Sequence, residues 1–305
     1  MRFIKAILIL LLAFAPMMAF NAGAAEAVEV EHGLPTAAVK VIKLGPLDIT
    51  NSMVMTIIVT LILVVFAQLI SRNVKPVPGK LQNFGEFMVE SMYNFLGDVL
   101  GPQLVKKTFW FFGTIFFFIL FINWFGLIPG VGTIGWHVYD SAHRQIGFDP
   151  LLRGGNADLN MTSAMSLMFF VLWIVWAIQA NGAIGVVKHI FAPGADGSGF
   201  MKWFMVAIFL FVGVLETLSI AFRPVSLSFR LYGNVFAGEN VLDSMMKIVP
   251  ALSWLIPLPF YFLELLVGLV QALVFTLLTA VFTLLICEHD EGHDHEHADG
   301  HAEKH

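Results

Sequence analysis

Three ionisable side chains, Glu216, Arg223 and Arg230, recur at seven-residue intervals within an apolar stretch of this 305-residue chain. On a helix turning 100° per residue the three drift by only about 40°, so they form one stripe. Asn234 and Glu239 follow them, and Glu264 and Gln271 stand seven apart in the next apolar segment. A guanidinium cannot be deprotonated at any cellular pH, so Arg230 cannot enter an apolar place by becoming neutral. Charges at membrane depth cost about 2.5 kcal/mol or more each, and by default they mark a functional site when they face protein or water.

An antiparallel hairpin turning near Pro250 would bring Glu239 level with Glu264, Arg230 with Gln271 and Glu216 with Glu288. Two carboxylates held together in low dielectric, with no cation beside them, could exchange protons near neutral pH. Gln271 could accept from Arg230 while remaining uncharged. Arg230 cannot relay a proton, so it reads as an electrostatic plug between two proton-accessible zones. No carboxylate of this chain is well placed at its height, so its counter-ion is expected from another subunit. Blander roles stand beside these. Arg223 could snorkel to phosphates, Glu239 and Glu264 could form an inert hydrogen-bonded pair, and Ser226 and Ser228 could back-bond to their helix or pack it.

The elements that hold these groups follow from composition. The chain is 58% apolar and 13% charged, with a mean hydropathy of +0.80. Soluble domains run nearer half apolar and about a quarter charged, so this is an all-α integral membrane protein. A span needs about 20 mainly apolar residues. Spans are expected at about 52–70, 108–129 and 161–179, followed by two longer segments, 203–248 and 252–287. The stretch 81–100 mixes Phe84, Phe87, Met88, Met92 and Phe95 with Glu86, Glu90 and Asp98. Its apolar residues recur at three and four, which predicts an amphipathic helix lying in the interface. The segment 203–248 would reach about 69 Å as one helix, against about 30 Å of hydrocarbon. It must either break, with Pro224 and Gly233 as places to bend, or run strongly tilted.

Arg72, Lys75, Lys80, Lys106 and Lys107 lie between the first two spans, and Lys188 and Lys202 follow the third. The bias of cations toward the cytoplasm places both stretches inside. The Gly-rich loop 131–160, whose two arginines are offset by Asp140, Asp149 and Asp158, is then external. Five crossings leave the mature N-terminus outside and the C-terminus inside. Residues 1–24 read as a signal peptide: two cations by Lys5, an apolar run to Phe20, and small residues Ala22-Gly23-Ala24. A retained short anchor is the alternative. Residues 25–51 form an external segment, 52–288 the membrane domain with its hairpin core at 203–287, and 289–305 a cytoplasmic tail. The single Cys287 excludes an intramolecular disulfide and a cysteine metal cluster.

The stretch "PVSLSFRLYGNVFAGE" resembles the signature of subunit a of F-type ATP synthases, with its Arg-Leu-aromatic-Gly-Asn core. The likeness extends to "LVQALVFTLLTAVF", "NADLNMT", "FINWFGLIPG" and "ITN". The resemblance implies that Arg230 is the essential arginine facing the c-ring, with Asn234 and Gln271 beside it. It implies that Glu239 and Glu264 line the outer half-channel and that Glu216 serves the cytoplasmic one. Arg223 falls where the family often has a basic residue, and Ser226 lies in the same motif. In the family one of the two outer acids is often histidine, whereas both are glutamate here. The implied partners are the c-ring, the subunit b peripheral stalk and membrane lipid, with no nucleic acid and no cofactor, in a bacterial inner membrane. The implied fold has its last two helices long and tilted along the c-ring.

No phosphate-binding loop of the G-x-x-x-x-G-K-[ST] type occurs in the sequence, which leaves ATP chemistry to other subunits. The tail holds six of the ten histidines. His293, His295 and His297 could bind zinc or nickel weakly, but their spacing carries no fixed ligand pattern, and a solvated acidic tail is the default. A secondary transporter with a midplane ion site would call for inverted repeats or broken-helix halves, and no such internal symmetry is visible. Proton and sodium remain open as the ion carried.

Overall fold

The computed structural model describes residues 38–44, 47–72, 74–128, 130–139, 145–191, 200–248 and 255–287. The leader, the tail with its histidines, the turn around Pro250 and Glu288 lie outside them. The described chain is dominated by five helices long and apolar enough to cross a membrane. In chain order these are α1 (Asn51–Ser71), α2 (Lys80–Gly126), α3 (Leu159–Phe191), α4 (Phe200–Ile248) and α5 (Leu258–Cys287). Two small antiparallel hairpins accompany them, β1 (Lys40–Leu44) with β2 (Leu47–Thr50) and β3 (Gly135–Tyr139) with β4 (Gln145–Pro150). The hairpins are not foreseen in the sequence, where their short runs carry little alternation.

Local chemistry sets the helix limits. Thr50 caps α1 by accepting from the Met53 amide at 3.4 Å. Inside α2, Gly101 leaves helical geometry at φ 75°, a value that favours glycine, and Pro102 restarts the next helix with its fixed φ. That break separates the amphipathic run 80–100 from the spanning run 102–126. In the amphipathic run Met92, Leu96 and Leu100 are buried, while Phe84 and Phe87 stay exposed. Gly182 breaks α3 in the same way at φ 71°, so its membrane-length part is Leu159–Gly182.

The second half of α2 is the centre of the bundle. Phe111, Phe112, Ile115, Ile119 and Ile122 are fully buried, and Phe111 meets Phe169 and Trp176 of α3 at 6.4 and 5.8 Å between ring centres. α5 is laced to its neighbours by side-chain donors reaching its carbonyls. Asn123 donates to Gly268 O, Trp124 to Leu265 O, Trp173 to Phe282 O and Asn181 to Ile286 O. The α5 stripe of Gly268, Ala272, Thr276, Thr279 and Thr283 is buried, since small residues let membrane helices approach closely. Ser228 packs α4 onto α3, its hydroxyl sharing hydrogen bonds with Thr162 and Ser163 at 3.2 and 2.8 Å.

α4 runs through Pro224 and Gly233 as one helix of 49 residues. Between break and tilt, the chain takes the unbroken form. At 1.5 Å per residue it measures about 73 Å, too long to stand upright in the hydrocarbon. Pro224 lacks an amide to donate to its fourth-preceding carbonyl, yet packing on α3 carries the helix past it. Much of α4's apolar surface is uncovered, including Trp203, Phe211, Leu215, Phe222 and Phe229.

Candidate functional site

Helices α4 and α5 bring together most of the polar groups singled out in the sequence, with one change of partner. Gln271 is buried on α5, and its Oε1 accepts from Asn234 Nδ2 at 2.6 Å. The expected partner, Arg230, lies one helical turn away. Arg230 is exposed on α4 and has no hydrogen-bond or ion-pair partner among the described residues. The reason is chemical. The buried amide of Gln271 is matched by another uncharged amide, while the guanidinium stays on the uncovered face beside Phe229.

Towards one end of α4 from Arg230, the helices form a small cleft open at one side. Asn123, Asn156, Asn234, Glu239, Glu264 and Gln271 supply its polar lining. Asn156 Nδ2 donates to Asn123 Oδ1 at 2.7 Å, and Asn123 passes the chain on to Gly268 O. Gly238 packs directly on the Glu264 carboxylate, which puts Glu239 and Glu264 at similar depth. Asn156 Oδ1, Gln271 Nε2 and Glu239 Oε2 are buried without a hydrogen-bond partner among the described residues. Buried polar atoms are rarely left so, and all three belong to side chains lining this cleft.

The sequence reading of Glu239 and Glu264 as a pair without a cation is corrected here. Arg153 comes from the loop before the 3₁₀ turn Gly155–Ala157, and its Nε stands 3.5 Å from Glu239 Oε2. Arg153 is only 4% exposed. Its guanidinium also lies 5.9 Å from the Phe236 ring centre. The signal was present in part: "RGGN" runs straight into "NADLNMT", and two adjacent glycines let a backbone approach closely. Asn123 gave a weaker signal, as an amide set within the apolar "FINWFGLIPG".

Towards the other end of α4, Glu216 accepts from Arg223 Nη2 at 3.2 Å. Arg223 does more than snorkel. Its guanidinium is 4.4 Å from the ring centre of Phe282 on α5 and 5.5 Å from that of Trp173 on α3. Seven-residue spacing alone gave no hint of those aromatic partners. Ser226 is exposed on α4, apart from the cleft. The level partner expected for Glu216, Glu288, lies outside the described residues, as do His293, His295 and His297. Among the described residues no cluster of three metal-ligating side chains occurs.

Acidic groups thus stand on both sides of Arg230, which has no partner among the described residues, along one overlong helix of an apolar bundle. The comparisons give the family. The family model described as ATP synthase A chain matches residues 53–283, and the chain belongs to that family. It is 33% identical to "ATP synthase subunit a" of Gloeobacter violaceus over 256 residues, 84% of this chain and 90% of that relative. It is 30% identical to the subunit a of Protochlamydia amoebophila, covering 79% of this chain and 82% of the relative. It is also 29% identical to "ATP synthase subunit a, sodium ion specific" of Propionigenium modestum, covering 83% and 80%.

Proposed function

We propose that this chain is the stator channel of a rotary ATP synthase, carrying protons through two offset half-channels that load and unload carboxylates on the c-ring. The observation that carries the reading is the placement of Arg230. It lies on the uncovered face of α4, about 13 Å along the helix from Glu239 and about 21 Å from Glu216, without a partner among the described residues. Protons enter from outside past Glu239 and Glu264 and neutralise a ring carboxylate. The neutral carboxylate turns away through lipid, and its proton leaves by Glu216. Arg230 stabilises the carboxylate as an anion when it returns, and blocks direct leakage because it cannot relay a proton.

The subunit performs no ATP chemistry itself. Each charge carried contributes about 2.3 kcal/mol per 100 mV, so several must pass for each ATP made elsewhere in the complex. The uncovered apolar face of α4 then lies tilted along the c-ring, and a subunit b stalk holds the chain still. The location is a bacterial inner membrane, with the mature N-terminus outside and the C-terminus inside. Arg230→Ala in assembled membranes tests the reading. ATP-driven proton pumping is expected to vanish, and pumping at the normal rate would refute the mechanism. Pumping that requires sodium would change the ion and leave the architecture standing.

A further inference from the structure

We propose that Arg153 is a positioning residue of the outer half-channel, holding the Glu239 carboxylate at the cleft and making Glu239 a point of transit for the proton. The proposal rests on the reading that Glu239 lies on the outer proton path.

The loop that carries Arg153 is fixed at both ends by the first residues of α1. Asn51 Nδ2 donates to Pro150 O at 3.0 Å before the loop, and Ser52 Oγ donates to Asp158 Oδ2 at 2.6 Å after it. Between these clamps the backbone packs too tightly for side chains. A Cβ on Gly154 would stand 2.8 Å from Glu239 Oε1, and one on Gly155 would stand 2.5 Å from Thr56 Oγ1. The paired glycines therefore let the loop press against α4 and deliver Arg153 to Glu239.

The electrostatics follow from burial. A guanidinium stays charged in every environment a protein offers, and a buried charge without a counter-charge is strongly disfavoured. Glu239, whose Oε2 stands 3.5 Å from Arg153 Nε, adds counter-charge there only while it is an anion. Glu264 faces the same cleft from α5, and no cation is paired with it among the described residues. The two acids are thus unequal. A proton arriving on Glu239 weakens its pairing with Arg153 at 3.5 Å, which favours handing that proton on. Glu264 can hold a proton without disturbing any cation.

Arg153→Lys and Arg153→Met, made in the intact complex, separate charge from packing. Lysine keeps the charge on a flexible stem, and methionine keeps an apolar stem alone. ATP-driven proton pumping is expected to stay within about threefold of the parent for Arg153→Lys. Arg153→Met is expected to lose tenfold or more, with assembly of the complex unchanged. Parental pumping by Arg153→Met, or equal loss in both variants, overturns the proposal. If Arg153→Met fails to assemble, the double variant Arg153→Met/Glu239→Gln decides, since it removes the stranded carboxylate. Restored assembly supports the pair, and continued failure overturns it. Glu239→Ala keeps the two readings apart. Normal pumping there sinks the outer-path reading itself, whereas impaired pumping there with a harmless Arg153→Met sinks only the role of Arg153.

Discussion

Asn234 on α4 donates a 2.6 Å hydrogen bond to Gln271 on α5, and this bond fixes the register of the two helices around the site. It places the amide pair one turn beyond Arg230. The arginine is left without a hydrogen-bond or ion-pair partner among the described residues.

That register predicts a crosslinking pattern. In a Cys287→Ser background, which removes the chain's single cysteine, cysteines at 234 and 271 should be joined by a short bifunctional maleimide. Cysteines at 230 and 271 should react several-fold less, because position 230 is exposed and lies one helical turn from the Asn234–Gln271 pair. Yields measured by gel shift in native membranes check this, and the opposite order would mean the helices pair one turn away from the register described.

The Arg223 cage predicts a difference between two basic residues. A guanidinium between aromatic rings gains about 0.5–2 kcal/mol from the ring faces, and lysine does not reproduce its planar stacking. Arg223→Lys should keep pumping within about threefold, because a cation still faces Glu216. It should also lower the temperature at which the complex disassembles. Arg223→Met, which removes the charge, should slow pumping further. Pumping assays set beside thermal disassembly separate the two effects, and equal behaviour of both variants would refute a role for charge.

The glycine loop predicts a steric hierarchy. Gly155→Val forces atoms into Thr56 and Ile122, and overpacking of this kind costs about 1–3 kcal/mol. Gly132 has nothing within 4 Å of an added Cβ, so Gly132→Ala should change stability by no more than about 0.5 kcal/mol. The yield of assembled complex should drop for Gly155→Val and hold for Gly132→Ala.

These relationships show what the residues reveal by themselves. Five spans, the separate amphipathic run and the stripe through Glu216, Arg223 and Arg230 are legible because they rest on local periodicity and on the cost of charge in lipid. Hairpin arithmetic placed Glu239 and Glu264 at similar depth, yet it gave Gln271 the wrong partner. Pairing residues by equal distance from a turn near Pro250 treats helices as ladders, whereas packing chooses which amides meet. Arg153 was hidden for a different reason. It is 86 residues from Glu239 in a loop whose charges look balanced, and only the tertiary clamp at Asn51 and Ser52 turns it inward. The cage around Arg223 depends in the same way on α3 and α5 converging on α4.

The cleft predicts a requirement for water. Asn156 Oδ1, Gln271 Nε2 and Glu239 Oε2 lack hydrogen-bond partners among the described residues, and their side chains line one space. Buried polar atoms grouped in this way are ordinarily met by water when the site is polar and roomy. Water bound there would lie between Glu239 and Glu264 and the amide pair beside Arg230. Asn156→Leu should exclude that water and also remove the bond to Asn123, so passive proton conduction through the membrane sector is expected to fall about tenfold. Asn156→Ser keeps an oxygen and leaves space, and should lose less than threefold. Assembly is checked in both by the amount of the subunit retained in the purified complex. If Asn156→Leu conducts like the parent, protons reach Arg230 by a route that does not pass through this cleft.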